Sequence, residues 1–347
     1  MSAARSPISV LIVDDSATVR AVLRRLLESC DDIVVVGEAG DGAEAVAAAA
    51  ALAPRVILMD VEMPRMNGVE ATHAIMRARP TPILVITSRS ARREVRAAFQ
   101  CFAAGALELL AKPEHPAAWE AMAHALPDKI RALAGATARL ARRGGTPSAP
   151  LPAPRGTLRC IAVAASTGGP AALHALLAAF ARPLPAPLLI VQHISPGFEE
   201  GLAEWLATVT GLDVALATDG EPLAPGAVRL APGGSHLRIT AAATVALDRR
   251  TPPVGGHRPS ADELFTSCAE AMPAQTAGIL LTGMGRDGAE GLVRLRRAGG
   301  LALVQDEGSC VVFGMPRAAL ELDGTLPAMP PAALAAAVEE FARGGRR

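Results

Sequence analysis

Two sets of residues in this chain have the types and spacing to do chemistry. In the first, Asp14 and Asp15 end an apolar run, Ile8-Ser9-Val10-Leu11-Ile12-Val13. Asp60 ends another, Val56-Ile57-Leu58-Met59, and Lys112-Pro113 follows further on. At the carboxyl edge of a parallel sheet, three such carboxylates converge into a hard-cation site, and a neighbouring ammonium neutralises a transferred phosphoryl group. A carboxylate attacks phosphorus only when its own charge and that of the incoming group are offset in this way. Alone, Asp14 and Asp15 fit ordinary helix-capping acids equally well; Asp60 and Lys112 tip the reading toward phosphoryl transfer.

The second set begins where Ile161-Ala162-Val163-Ala164-Ala165 leads into Ser166-Thr167-Gly168-Gly169-Pro170. A strand turning through glycines into a helix exposes a hydroxyl beside free backbone N–H groups, which can stabilise an oxyanion or cradle a phosphate. The segment alone leaves both open. His193, after the apolar run 188–191, and Asp287, in Thr282-Gly283-Met284-Gly285-Arg286-Asp287-Gly288, shift the balance toward a nucleophilic serine. At strand ends in one sheet, the imidazole takes the serine proton and the carboxylate fixes its tautomer. Asp219 and Asp306 are rivals for the third position; Asp287 is preferred for its glycine-rich context. His236 and His257 lie in Gly/Pro-rich loops, where a hydrogen-bonded structural histidine is the first expectation and a pocket-lining one the second. Asp262 reads as a first-turn acid favoured by the helix dipole. His174 reads as helix surface, and His73, His115 and His124 carry no assigned chemistry. No His/Cys cluster has zinc-ligand spacing.

The elements that must position these residues alternate β and α. Short β-branched runs at 8–13, 33–36 (stopped by Gly37), 56–59, 83–86 and 107–110 are separated by helical patterns, which argues for a parallel sheet covered on both faces. From about Gly135 to Gly156 the sequence becomes rich in Ala, Arg, Gly and Pro and reads as a linker. Strands resume at 158–164, 188–191, 228–230, 237–239, 278–281 and 301–304, with helices at 171–180, 199–209, 261–270 and 288–298. The expected division is a domain over 1–126, a linker over 127–156 and a larger domain over 157–347, both of them parallel-sheet, three-layer α/β/α.

Composition narrows the class. At 347 residues, two domains with real cores are expected. Lys+Arg and Asp+Glu are both 34, which removes the charge footprint of a nucleic-acid binder, and no basic recognition helix is visible. Five scattered cysteines suit a reducing compartment. The first residues lack a signal-peptide core and no apolar stretch is long enough to span a bilayer, so a cytoplasmic location without membrane insertion is expected.

Four motifs in order, Val13-Asp14-Asp15-Ser16, Met59-Asp60-Val61-Glu62-Met63-Pro64, Ile86-Thr87-Ser88 and Ala111-Lys112-Pro113, make the first 125 or so residues resemble a response-regulator receiver domain. The resemblance implies a flavodoxin-like fold, Asp60 as phosphoryl acceptor, Mg²⁺ held by Asp14, Asp15 and Asp60, Thr87 touching the phosphoryl group and Lys112 pairing with it. Receivers usually carry an aromatic residue three positions before the lysine; here it is Leu109, so relay would rest on Thr87 and backbone motion. In the second half, Ala165-Ser166-Thr167-Gly168-Gly169-Pro170, Gln192-His193, Ala231-Pro232-Gly233-Gly234-Ser235-His236, Gly256-His257-Arg258-Pro259-Ser260, Thr282 to Gly288 and Gly314-Met315-Pro316 together resemble the chemotaxis protein-glutamate methylesterases, the CheB family. That implies a Rossmann-like catalytic domain with Ser166 as nucleophile, His193 as general base and acid, and Asp287 as orienting carboxylate; backbone near Thr167 and Met284 is the candidate oxyanion hole, and no cofactor is expected there.

The resemblance further implies a phosphorylation-activated serine hydrolase that removes methyl esters from glutamates of methyl-accepting chemoreceptors, releasing methanol, and deamidates receptor glutamines. A chemotaxis histidine kinase would donate the phosphoryl group, and the unphosphorylated receiver would restrain the hydrolase. Two alternatives stand beside it: a receiver-controlled hydrolase of another acyl substrate, and a non-catalytic anion- or protein-binding output domain.

Overall fold

A computed structural model of the chain describes residues 6–88, 92–140 and 157–344. The chain divides into two compact units at Ala138/Arg139.

The first unit runs β1 (Ile8–Val13), α1 (Ala17–Glu28), β2 (Ile33–Ala39), α2 (Gly42–Leu52), β3 (Val56–Met59), α3 (Gly68–Ala78), β4 (Ile83–Thr87), α4 (Arg92–Ala103), β5 (Glu108–Ala111) and α5 (Pro116–Leu140). Its five strands are parallel in the order β2-β1-β3-β4-β5. β3 and β4 are buried along their whole length because helices cover both faces. Val13 pairs with Met59, so the residues that follow, Asp14 and Asp60, leave the sheet side by side.

Two expectations are corrected here. Gly37 does not stop β2; the strand continues to Ala39, with a register shift opposite Val10/Leu11. A Cβ on Gly37 would lie 2.5 Å from Leu52 Cδ1, so the glycine marks a close approach of α2 rather than a strand end. The stretch 127–140, expected to begin the linker, is helical: α5 carries straight through Pro127 to Leu140. Its Leu126, Ile130, Leu133 and Ala134 are buried at helical spacing, Lys129 pairs with Glu108, and Arg131 pairs with Asp32. The Ala/Arg-rich composition that suggested a linker is also that of a good helix former. The rest of the expected linker, 141–156, lies outside the described residues.

The second unit runs β6 (Cys160–Ala165), α6 (Gly169–Ala179), β7 (Leu188–Gln192), α7 (Glu199–Thr210), β8 (Asp213–Leu216), β9 (Ala227–Leu230), β10 (His236–Ile239), β11 (Val245–Asp248), α8 (Ala261–Ala271), β12 (Thr276–Leu280), α9 (Ala289–Arg297), β13 (Leu301–Gln305), α10 (Met315–Leu322), β14 (Ala328–Met329) and α11 (Pro331–Gly344). Seven parallel strands lie in the order β14-β13-β12-β6-β7-β9-β8; β10 and β11 form a separate antiparallel ribbon. The order reverses at β6, with later strands added first on the β7 side and then on the β12 side. In such sheets ligands bind in the crevice at the carboxyl ends of the strands flanking the reversal.

If α5 is part of the first unit's core rather than a linker, Leu133→Ala should lower stability in urea unfolding by about 2–4 kcal/mol. A change under about 0.5 kcal/mol, as for an exposed tether, would contradict the packing.

Candidate active site

The crevice at β6 is where the strand ends that carry the second set of residues lie side by side. Ala165 pairs with Gln192 across β6 and β7, so Ser166 and His193 follow at the same level on adjacent strands. Backbone bonds extend that register: His193 N–H donates to Ala165 O at 3.0 Å, and Ser166 N–H donates to Thr282 O, beyond β12, at 3.0 Å. Ser166 thus lies between the β7 and β12 ends, only 8% exposed. The turn after β12 carries Asp287 to His193, where Oδ2 is 2.8 Å from Nε2.

Asp287 is buried, yet four donors surround it. Ser260 Oγ–H bonds Oδ1 at 2.7 Å, Ala261 N–H bonds Oδ2 at 2.7 Å, Asp262 N–H bonds Oδ1 at 3.1 Å, and His193 Nε2 completes the set. The two amides belong to the first turn of α8, whose dipole favours an anion. Burial raises the carboxyl's proton affinity, but the His193 ring, the Ser260 hydroxyl and the Ala261 amide outweigh it and bring its pKa down to about 2. Asp287 is therefore ionised at neutral pH and can only accept. That assigns the neutral His193 proton to Nε2 and leaves a lone pair on Nδ1, which is buried without a partner in the protein. Of the rival acids, Asp219 accepts from Leu247 N–H and Asp306 from Ser309 Oγ–H.

The expected oxyanion donors follow from where the carbonyls point. Ser166 O accepts from Gln192 Nε2 at 2.8 Å and from Gly169 N–H at 2.7 Å. Because a trans peptide sets C=O and N–H in opposite directions, the Thr167 N–H is turned away from Gln192. Gly283 O accepts from Gly314 and Met315 N–H at 3.1 and 3.0 Å, which likewise turns the Met284 N–H outward. Among the described residues neither amide meets a protein acceptor. Thr282 secures the neighbouring peptide, its Oγ1–H donating to Thr167 O at 2.9 Å.

Several supporting groups were not visible in sequence spacing. Gln192 donates both amide hydrogens, to the carbonyls of Ser166 and His193, at 2.8 Å each. Its only signal was adjacency to His193. Ser260, its hydroxyl bonded to Asp287, ends the 256–260 motif, which by itself announces no such role. Asp262 is more than a first-turn acid: its Oδ1 accepts Gly291 N–H at 2.7 Å in the first turn of α9, and burial and the nearby Asp287 push its pKa up to about 6. His236 begins β10 rather than lying in a loop, and is fully buried between Pro252 O (3.1 Å) and Ser260 N–H (3.2 Å). His257 stacks on His193.

The first unit gathers the first set. Lys112 Nζ lies 2.6 Å from Asp60 Oδ2 and 2.8 Å from Asp14 Oδ2. Asp60 Oδ1 accepts Val61 N–H at 2.7 Å, and Asp14 Oδ1 accepts Ser16 N–H at 3.0 Å. Carboxylate oxygens of Asp14, Asp15 and Asp60 fall within 4.8 Å of one another. Burial and the Asp14 charge together outweigh Lys112 and raise the Asp60 pKa to about 6. Three carboxylates against one ammonium leave a deficit of positive charge, and an all-oxygen donor set of this kind fits a small hard cation. Thr87 is buried at the end of β4, its carbonyl accepting Lys112 N–H at 2.8 Å; Leu109 is buried in β5.

Comparison with known proteins gives the same division. A family model described as CheB methylesterase matches residues 161–338, and one described as response regulator receiver domain matches 10–124. The chain is 46% identical over 321 residues to a protein-glutamate methylesterase/protein-glutamine glutaminase 3 of Anaeromyxobacter dehalogenans, covering 90% of this chain and 92% of that one. Identity is 42% over 343 residues to a protein-glutamate methylesterase/protein-glutamine glutaminase 4 of Geobacter metallireducens, covering 96% and 99%. The crystal structure of the Thermotoga maritima CheB methylesterase catalytic domain matches with a TM-score of 0.50 and 33% identity, covering 54% of this chain and 98% of that chain.

The raised Asp60 pKa has a stability consequence. Below the ordinary value of 3.8 the carboxyl is protonated folded or unfolded and contributes nothing. Between 3.8 and about 6 only the unfolded chain ionises, so stability falls as pH rises, and above 6 the penalty is complete. In metal-free buffer Asp60→Asn should therefore stabilise the first unit at pH 8 by up to about 3 kcal/mol, with the gap shrinking toward pH 4. A pH-independent gap in urea midpoints would contradict a carboxylate destabilised by burial and by the neighbouring Asp14 charge.

Proposed function

The chain belongs to the CheB methylesterase family, and from that premise we propose how its residues divide the work of a receiver-controlled protein-glutamate methylesterase and protein-glutamine glutaminase. Ser166 Oγ attacks the carbonyl carbon of a glutamyl methyl ester on a chemoreceptor while its proton passes to Nδ1 of His193. Asp287 holds Nε2–H and stabilises the imidazolium so formed. The N–H groups of Thr167 and Met284 receive the negative oxygen of the tetrahedral intermediate. Collapse breaks the C–O bond, and methanol leaves with the proton returned by His193. Water, deprotonated by the same nitrogen, then releases the glutamate carboxylate and restores Ser166. With a glutamine substrate the same sequence expels ammonia. The observation that carries this reading is the His193–Asp287 pair, 2.8 Å apart at the strand end beside Ser166.

In the receiver, Asp60 is the phosphoryl acceptor, with a histidine kinase of the chemotaxis pathway as donor. Lys112 neutralises the incoming group and Thr87 contacts it. Mg²⁺ held by Asp14, Asp15 and Asp60 supplies further charge neutralisation when bound. The reading needs no membrane-embedded part; among the described residues no helix is long and apolar enough to cross a bilayer.

The test is methanol release from methylated chemoreceptor membranes, with and without acetyl phosphate and Mg²⁺. Ser166→Ala should lower turnover by about 10⁴-fold or more while unfolding in urea as the parent does. Asp60→Asn should keep the basal rate and lose the stimulation by acetyl phosphate. Substantial turnover in Ser166→Ala would overturn the nucleophile assignment, and full stimulation of Asp60→Asn would overturn the acceptor.

A further inference from the structure

The imidazole of His257 lies flat on that of His193, with ring centroids 3.9 Å apart and planes within 2°. His257 comes from neither β7 nor the Asp287 turn. It closes a two-residue hairpin in which His257 N–H donates to Val254 O at 2.9 Å and Val254 N–H donates to His257 O at 3.0 Å. The two residues between, Gly255 and Gly256, have φ of +58° and +87°. Positive φ at both central positions is the requirement of a tight hairpin turn, and glycine meets it without strain. The next residue is tied down as well: Gly234 N–H donates to Arg258 O at 3.3 Å, and Arg258 Nη1 reaches the carbonyls of Arg249 and Thr251 at 3.4 Å each. The ring of His257 is thus delivered by a braced turn.

A single hydrogen bond does not orient a ring. The bond from His193 Nε2 to Asp287 fixes one edge but lets the imidazole swing about that contact, changing the direction in which the buried Nδ1 presents its lone pair. A flat group packed on the ring face removes that freedom. We propose that His257 is a positioning residue for the hydrolysis: its stacked ring sets the plane of the His193 imidazole, and with it the direction from which Nδ1 takes the Ser166 proton, while Asp287 holds Nε2. This rests on the reading of Ser166 and His193 as nucleophile and base, and deepens it by giving the base a second constraint. The required property is a flat face rather than a proton, so another planar ring at position 257 does the same work.

The experiment uses the full-length enzyme and compares the parent with His257→Ala, His257→Phe and Ser166→Ala in methanol release, with urea unfolding as the control for folding. His257→Ala should lose about 10- to 100-fold in kcat with KM within about twofold, the cost of a misplaced base. His257→Phe should recover to within about threefold of the parent. In ¹⁵N-labelled protein, the His193 ring resonances should move in His257→Ala, as the ring current of the stack is lost, and this readout needs no turnover. Parent-like kcat in a folded His257→Ala, or a His257→Phe as impaired as His257→Ala, would overturn the proposal. If His257→Ala fails to fold, His257→Phe decides it by the same threefold criterion. Should Ser166→Ala retain activity, the hydrolase reading itself fails; an inactive Ser166→Ala beside a parent-like His257→Ala sinks the positioning role alone.

Discussion

A carboxylate taken out of water costs several kcal/mol unless donors replace the lost hydration, and the candidate catalytic edge is organised around one that has them. Asp287 is the side-chain cap of α8, whose first two amides it accepts, and it is also the partner of His193. The arrangement is reciprocal: Asp262, in the first turn of α8, accepts an amide from the first turn of α9, which starts just after Asp287. Two helix N-termini face each other, each holding an acid carried by the other segment. This satisfies orphan amides at both helix starts and fixes the carboxylate to backbone rather than to mobile side chains.

With that anchor in place, the strand order explains the rest. β6 sits where the sheet reverses, so its end has neighbours on both sides that were laid down far apart in sequence. β7 brings the imidazole, the turn after β12 brings the acid, and Gln192 and Thr282 pin the intervening peptide so that its carbonyls point inward and its amides outward. The receiver uses the same device with different chemistry. Asp14, Asp60 and Lys112 leave the ends of β1, β3 and β5, and there one amide each to Asp14 and Asp60 and a single ammonium leave a surplus of carboxylate charge that fits a small hard cation.

The sites were legible in the sequence to the extent that chemistry sits at strand ends. An apolar run followed by Asp, Ser or His is a local signal, and Ile8–Val13 and Val56–Met59 emerge as strands with the expected bounds. What stayed hidden depends on tertiary approach. The face of His193 is covered by His257 from a hairpin that reads in sequence only as a Gly/Pro-rich loop, and nothing local says what that loop touches. Gln192 drew no role because its function lies in two carbonyl directions, which no residue type announces. In α5, the Ala/Arg-rich composition from about Gly135 suggests a linker, yet the helix runs on to Leu140, and the stretch from 127 grouped with that linker buries Ile130 and Leu133. The short strands β8, β11 and β14 and the helices α10 and α11 are likewise absent from the elements the sequence pattern predicts.

The most direct measurement of the central claim is covalent trapping of the nucleophile. Incubating the full-length enzyme with an alkyl fluorophosphonate and mapping the adduct by mass spectrometry reads serine activation independently of any receptor substrate. The account predicts phosphonylation of Ser166, formed rapidly in the parent and slowed strongly when Asp287 is replaced by Asn, because the imidazole then loses its enforced tautomer. An unmodified Ser166, or labelling whose rate is indifferent to Asp287, would contradict it.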